Sequence, residues 1–282
     1  MAFETEYDNW AHQTDVLSVG ISAALVDAVV AVPLIYSEDL AETKLFQKDG
    51  SLVAEDINES AAYTPSANSE LVQSTVSAAA AKTVVVSKLT VEAQEFKPGG
   101  QQKLMMEQGK AIARKYDAHI KALATGFTGS VDSGTAATPS KLLEALYTVQ
   151  ESANIDSEIA ILLAGRKCAY QLRDAVQTSG ASVWSNPNQT SLLQGVADLK
   201  GFAGELPGVR IYQTGGIATA GGNDVNLLYF PSIAIAGMYS AGVKTRTVWV
   251  GAGGFWDEIS SYAFSKVVEW NDEAGVRFLH DS

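Results

Sequence analysis

Cysteine is almost missing. Cys168 is the only one in 282 residues, so no disulfide can form within the chain, and a cross-linked secreted scaffold is excluded in favour of a protein suited to a reducing cytoplasm. One thiol cannot build a thiolate metal site. His12, His119 and His280 stand far apart, without HExxH or CxxC spacing around them, so the patterns that gather zinc are absent. No metal and no cofactor are expected. Basic residues are also scarce, 20 Lys and Arg against 32 Asp and Glu for a formal charge of −12 and a pI near 4.7. That excludes a general basic surface for nucleic acid or anionic lipid and leaves room only for a local basic patch.

Catalytic motifs are missing too. TGGIATAGGND and GAGGFWDE are rich in glycine, but neither completes GxGxxG or GxxxxGK[ST], and there is no GxSxG elbow. Adjacent acids such as Glu38-Asp39, Glu55-Asp56, Asp257-Glu258 and Asp272-Glu273 read as solvated turns rather than acid/base pairs. NES at 58–60 and NQT at 188–190 match glycosylation sequons and matter only in a secreted chain. The apolar run VLSVGISAALVDAVVAVPLIY, residues 16–36, has the length of a membrane span but carries Asp27 near its middle and Pro33 near its end. It reads as a buried or interface-seeking helix that stops before Pro33. The start, MAFETEYDNW, is acidic where a signal peptide is basic, so Met1 is expected as the mature start.

What is present is ample for a packed core: 46% of the residues are hydrophobic. Charge is unevenly placed. Residues 1–99 hold 5 Lys and 15 acids, 100–128 hold 5 basic and 2 acidic residues, and 129–282 hold 10 and 15. An acidic third therefore precedes a basic segment. Within that third, the 27 residues from Asp49 to Thr75 carry few large apolar groups and cannot fold on themselves. Loops longer than about 12–15 residues are usually functional or disordered, so this one is either a surface loop or an extended hairpin that becomes ordered on a neighbour.

AAAAKTVVVSKLTVEAQEF follows with a β-branched run at Val84, Val85 and Val86, which predicts a strand. Pro98, Gly99 and Gly100 stop it, and a long helix starts after them. In KLMMEQGKAIARKYDAHIKALATGF, residues 103–127, Met105, Ile112, Tyr116, Ile120, Leu123 and Phe127 form one apolar stripe. Lys103, Glu107, Lys110, Arg114, Asp117 and Lys121 form a charged stripe opposite. Twenty-five helical residues span about 38 Å, against a diameter of about 50 Å for a compact domain of this size. Gly109 lies in the apolar stripe, where it costs about 1 kcal/mol against alanine, so another backbone is expected to approach there.

A Gly/Ser/Thr-rich loop leads to a helix capped by Thr138 with Pro139 in its first turn and Leu142, Leu143, Leu146 and Val149 on its buried face. IAILLAG, 159–165, reads as a buried strand and RKCAYQLRDAVQT as a helix. From Ser185 on, glycine-rich segments alternate with β-like runs: VRIYQT, NLLYF, TRTVWV, SSYAFSKVVEW and VRFLH. The fold class is α+β, with helices in the middle and strands at both ends.

This order of parts resembles the major capsid proteins of tailed bacteriophages, the fold first described for phage Hong Kong 97. Residues 103–127 look like that family's spine helix. LKGFAGELPGVRIYQTGGI (199–217) looks like the entry to its axial domain, SYAFSKVVEWNDEAGVRFLH (261–280) like its closing strands, and VPLIYSEDLAETKLFQKDG (32–50) like the start of its body. The resemblance implies an N-terminal arm (1–35), an extended loop and its base (36–82), a peripheral domain with a spine helix at 101–125 (83–180), an axial domain (181–242) and closing peripheral-domain strands (243–282).

It also implies a structural protein and no enzyme: a chain that assembles with itself through pentamers and hexamers into an icosahedral head around double-stranded DNA, enclosed without specific binding. Assembly in the cytoplasm of a bacterial host, a virion location and no membrane are implied with it. The chain begins directly with the arm, so a separate scaffolding protein is expected, with a portal and a decoration protein as further partners. Family members lay the extended loop across a neighbour near its spine helix. Glu55, Asp56, Glu59 or Glu70 of one copy is therefore expected to meet Lys103, Lys110 or Arg114 of another, unless those cations are only the helix's solvated face. Other readings stay open: an encapsulin-like compartment with the same fold, a small-oligomer enzyme, or a surface β protein of adhesin type.

Overall fold

The computed structural model describes residues 2–49, 72–90, 100–155, 158–178, 201–240, 242–250 and 256–281. Their elements run α1 (Ala2–Ala28), β1 (Tyr36–Asp39), β2 (Thr43–Asp49), β3 (Val72–Ala79), β4 (Ala81–Thr90), α2 (Gly100–Leu123), β5 (Ser130–Asp132), α3 (Pro139–Ala153), β6 (Ala160–Ala164) and α4 (Arg166–Thr178). Then follow β7 (Phe202–Leu206), β8 (Val209–Gln213), β9 (Ala218–Ala220), β10 (Asn223–Tyr229), β11 (Ile235–Tyr239), β12 (Lys244–Val250), β13 (Trp256–Glu269) and β14 (Gly275–Asp281).

The long helix α2 is where the glycines predict it. Ile112, Tyr116 and Ile120 are buried along it, and Phe127 continues the stripe just past its end. α1 ends before Pro33 and lies against α2 through Leu17, Ile21 and Leu25, spaced by four so that they share one face. The two backbones approach where Gly109 removes the side chain: a Cβ built there would stand 2.6 Å from the Cβ of Ala24. Gly20 makes the same allowance on α1, facing Met105. Two members of the expected stripes behave differently. Met105 and Leu123 are only partly covered, and Asp117, expected on the charged face, is buried. Its carboxylate turns inward because it accepts hydrogen bonds from the amides of Val30 and Ala31, at 3.2 and 2.8 Å, where the chain leaves α1.

α1 and α2 cover one face of a five-stranded sheet. Its strands run β1, β11, β13 and β12, with β4 paired to the opposite edge of the long β13. β13 alternates as a half-buried strand must, with Ile259, Ser261, Ala263, Ser265 and Val267 all buried. Gln108 of α2 is sealed against it, donating to the carbonyl of Ile259 at 3.0 Å and accepting from the hydroxyl of Ser261.

The second sheet has seven strands, β5, β14, β10, β6, β8 and β7, with β9 paired to β10. Helices α3 and α4 cover one face, where Leu142, Leu146, Cys168 and Leu172 pack on Leu162, Ile211, Leu228 and Phe278. The end of α2 and the connector after α1 cover the other, where Ile120, Ala124 and Phe127 meet Ile161, Leu163, Leu227 and Tyr229. Both faces of β6 are thus dry, which is why its sequence AILLA is apolar throughout and all five residues are buried. Thr138 caps α3, accepting from the amide of Lys141, and Pro139 occupies its first turn. Leu143, expected in the core, is 44% exposed; Ala145 lies in the interface instead, because the close crossing of helix and sheet accepts a methyl group there.

The sheets do not follow the expected sequence divisions. Segment 83–180 supplies β4 to the five-stranded sheet and β6 to the seven-stranded one. Segment 181–242 supplies β7 to β10 to the larger sheet but β11 to the smaller, and segment 243–282 supplies β12 and β13 to one and β14 to the other. The chain passes between the sheets through α2 itself, again between Tyr229 and Ile235, and again after Glu269; Ala234 and Ala274 on the last two passages pack with Ile120, Ala124 and Phe127 at the end of α2.

Candidate assembly surfaces

The cations predicted on α2 share one flank. Lys103 and Arg114 are exposed, while Lys110 is half-buried and reaches Glu107 of its own helix at 3.3 Å. An exposed i,i+3 pair of this kind stabilises by only a few tenths of a kcal/mol, so it is easily exchanged for another acid. Glu55, Asp56, Glu59 and Glu70, the acids expected to meet these cations, lie outside the described residues. Lys121, at the end of the stripe, donates to the carbonyl of Gly215 and so ties α2 to the loop after β8. Behind the stripe, partial burial, aided by the charges of Lys115 and Lys266, holds the imidazole of His119 below the usual range.

The face of the five-stranded sheet turned away from the helices carries charge that sequence reading overlooked. Cross-strand register lines up Val84, Tyr262 and Lys244 across β4, β13 and β12, and likewise Val86, Ser260 and Arg246. Val84, Val86 and Val248 are 41 to 55% exposed, and the ammonium of Lys82 lies 4.0 Å from the centre of the Tyr262 ring. The signal was legible in the alternation of AKTVVVSK with its two lysines and of KTRTVWV with its two cations. It emerges only once β4 and β12 are known to flank the same strand.

From this sheet projects a hairpin made of β2 and β3, paired antiparallel from Thr43↔Ala79 to Asp49↔Val72. The segment read as either a loose loop or a hairpin is therefore bracketed by paired strands within one chain. Its inner face is apolar: Phe46 and Ala78 are buried against Ala236 and Met238. Leu45, on the outer face, is 63% exposed.

The remaining polar groups hold the fold together. In the seven-stranded sheet the amide side chain of Asn226 accepts from the backbone N–H of Gly165 at 2.7 Å and donates to the carbonyl of Phe278 at 3.0 Å. It also faces Nδ1 of His280 at 3.2 Å. His280 is buried, with Nε2 3.9 Å from a carboxylate oxygen of Asp224. Burial holds this imidazole below its usual range, against the pull of Asp224. The thiol of Cys168 is pushed up to about 12 by burial, which removes the thiolate that nucleophilic chemistry needs. Among the described residues no three His, Cys, Asp or Glu side chains gather as a metal site, and no described helix is long and apolar enough to cross a membrane.

No protein-family profile and no curated protein sequence matches the chain, but solved structures do. The capsid of Ralstonia phage GP4 matches with a TM-score of 0.64 at 10% identity, over 87% of this chain and 86% of that one. A virus-like particle from Pyrococcus furiosus matches with 0.59 at 10% identity, over 94% and 99%. The holo-SrpI encapsulin complex from Synechococcus elongatus gives 0.59 at 11% identity, over 89% and 86%. The chain thus has the Hong Kong 97-type capsid fold, α+β, as the order of its parts implies.

Proposed function

We propose that this chain is the major capsid protein of a tailed phage, a structural subunit without enzymatic activity. In this reading it self-assembles through pentamers and hexamers into an icosahedral head around double-stranded DNA, in the cytoplasm of a bacterial host. The observation that carries it is the match of whole folds: nearly nine-tenths of the chain superposes on the GP4 capsid chain and the reverse holds as well, so no substantial part of the described fold is left over for another task. A scaffolding protein, a portal and a decoration protein are the partners this reading brings.

The charge distribution supports a contact between copies. The acids Glu55, Asp56, Glu59 and Glu70 of one subunit meet Lys103, Lys110 or Arg114 of the next. Exposed pairs contribute about 0–1 kcal/mol each, so they select register and partner, and affinity comes from apolar burial at about 25 cal/mol per Å². The net charge of −12 suits a shell around DNA that must slide, because phosphate contacts otherwise dominate binding.

A second reading is an encapsulin-like compartment, supported by the match to the holo-SrpI encapsulin complex, over 89% of this chain and 86% of that one. Electron microscopy of the purified protein tests both. Closed shells are expected; a discrete species of a few subunits at all concentrations rejects them. Protein cargo without DNA in particles taken from expressing cells selects the compartment.

A further inference from the structure

We propose that Trp270 is a positioning residue that fixes the direction in which the β2–β3 hairpin projects from the five-stranded sheet. This rests on the shell reading above.

A two-stranded hairpin is marginal in water without something to pack on, so the hairpin needs support at its base. The chain gives it three ties. Its legs arise on opposite sides of the five-stranded sheet: β2 follows β1 at one edge, and β3 runs through the single residue Ala80 into β4 on the far side of β13. Against the β1–β2 leg stands Trp270, directly after the last residue of β13, with its backbone N–H bound to the carbonyl of Ala234 at 2.9 Å. Its ring centre lies 6.4 Å from that of Phe46 on β2 and 5.1 Å from that of Tyr36 on β1. Phe46 is 1% exposed, so the Trp270–Phe46 contact is dry, while Tyr36 at the other end is 38% exposed. The third tie is polar. Glu38 of β1 pairs with Lys44 of β2 and accepts from the hydroxyl of Tyr36 at 2.9 Å, and both contacts hold its carboxyl below the usual range.

Geometry makes the base decisive. The two strands have seven and eight residues and reach about 24–27 Å, so a tilt of ten degrees at the base moves the hairpin's far end by roughly 4–5 Å, about the spacing between paired strands. A loop so displaced cannot keep one register on a neighbouring copy. Among the tying side chains, Trp270 is the one that touches both β1 and β2, and its removal frees the tilt without breaking a backbone pair.

The test compares Trp270→Ala with wild type by hydrogen exchange and electron microscopy, with Trp270→Phe as a milder variant and Tyr36→Phe as a control that keeps its ring. For Trp270→Ala, exchange in 43–49 and 72–79 is expected to accelerate about tenfold or more while β6 and β10 stay protected, and the yield of uniform closed particles is expected to fall several-fold. Trp270→Phe should lie between, and Tyr36→Phe, which loses only the hydroxyl bond to Glu38, should accelerate hairpin exchange less than Trp270→Ala does. Unchanged exchange in the hairpin, or wild-type yields of uniform particles, overturns the proposal. If Trp270→Ala does not fold, the same two readouts on Trp270→Phe decide it. If the wild type itself forms no closed particle, the shell reading fails and takes the assembly half of the proposal with it, while the exchange data still decide whether Trp270 holds the hairpin.

Discussion

The carbonyl oxygen of Ile21 sits against the bare α-carbon of Gly109: a Cβ built there would stand 2.7 Å from that oxygen. The contact is between two backbones, so neither side can swing away as a flexible side chain would. Gly109→Ala gains about 1 kcal/mol in helix propensity but forces α1 off α2, at an overpacking cost of about 1–3 kcal/mol. The expected outcome is a less stable subunit, seen in urea unfolding, with faster proteolysis inside α1. Gly20→Ala should do less, because its added methyl meets the side chain of Met105, which can turn. Equal or greater stability for Gly109→Ala would show that the crossing is loose.

Asp117 makes a second tie between the same elements, with a defined pH signature. Burial raises its carboxyl above the usual range, and the amides of Ala31 and Val30 and the charge of Lys121 oppose that shift only partly. A carboxyl raised on folding binds its proton more tightly in the native state, so its contribution to stability is greatest at acid pH and declines as pH rises through the folded value. Asp117→Asn should flatten this part of the stability profile just above the ordinary carboxylate range. Asp117→Ala should cost about 1–3 kcal/mol at any pH, because it strips the amides of Val30 and Ala31 of their acceptor.

How far the sequence could be read depends on what sets each element. Helix α2 was legible because a Gly stop, a 3.6-residue stripe and one costly glycine agree, and the glycine even located the crossing of α1. Thr138 and Pro139 marked the start of α3 for a similar reason, since capping is local chemistry. Leu143 and Asp117 were misplaced because periodicity assigns a face by residue type, while the partner's shape decides what fills it. The strands β1, β3 and β11 were missed: YSED, VQSTVSAA and IAGMY are short or rich in small and polar residues, and pairing partners distant in sequence make them strands. The clustering of Tyr36, Phe46 and Trp270 was invisible for the same reason, being a product of topology.

His280 predicts the opposite pH response to Asp117. It is buried beside Asn226 and Asp224, and burial, with Lys167, lowers its pKa while Asp224 and Asp281 pull the other way. The native state therefore prefers the neutral ring, and stability is lost as pH falls through the ordinary histidine range toward the folded value. His280→Gln should remove this loss, so that its thermal midpoint changes less than that of wild type between pH 8 and pH 5. A parallel fall in both proteins would place the acid sensitivity elsewhere.

The proposed charge contact between copies gives the last prediction. Lys110→Glu with Arg114→Glu reverses two cations on the outer flank of α2 and leaves the apolar stripe of Ile112, Tyr116 and Ile120 untouched. Folding should change little, because surface substitutions away from special features stay within about 0.5 kcal/mol, apart from the new repulsion between residue 110 and Glu107. Assembly should suffer more if the proposed shell forms, since every ring would repeat the contact and the altered flank would repel the acids of segment 49–75. Light scattering and electron microscopy should show fewer closed particles at low ionic strength, with partial recovery as added salt shortens the Debye length from about 30 Å at 0.01 M to about 8 Å at 0.15 M. Normal shell yield from a folded double variant at low salt would mean that these cations are only the solvated face of the helix.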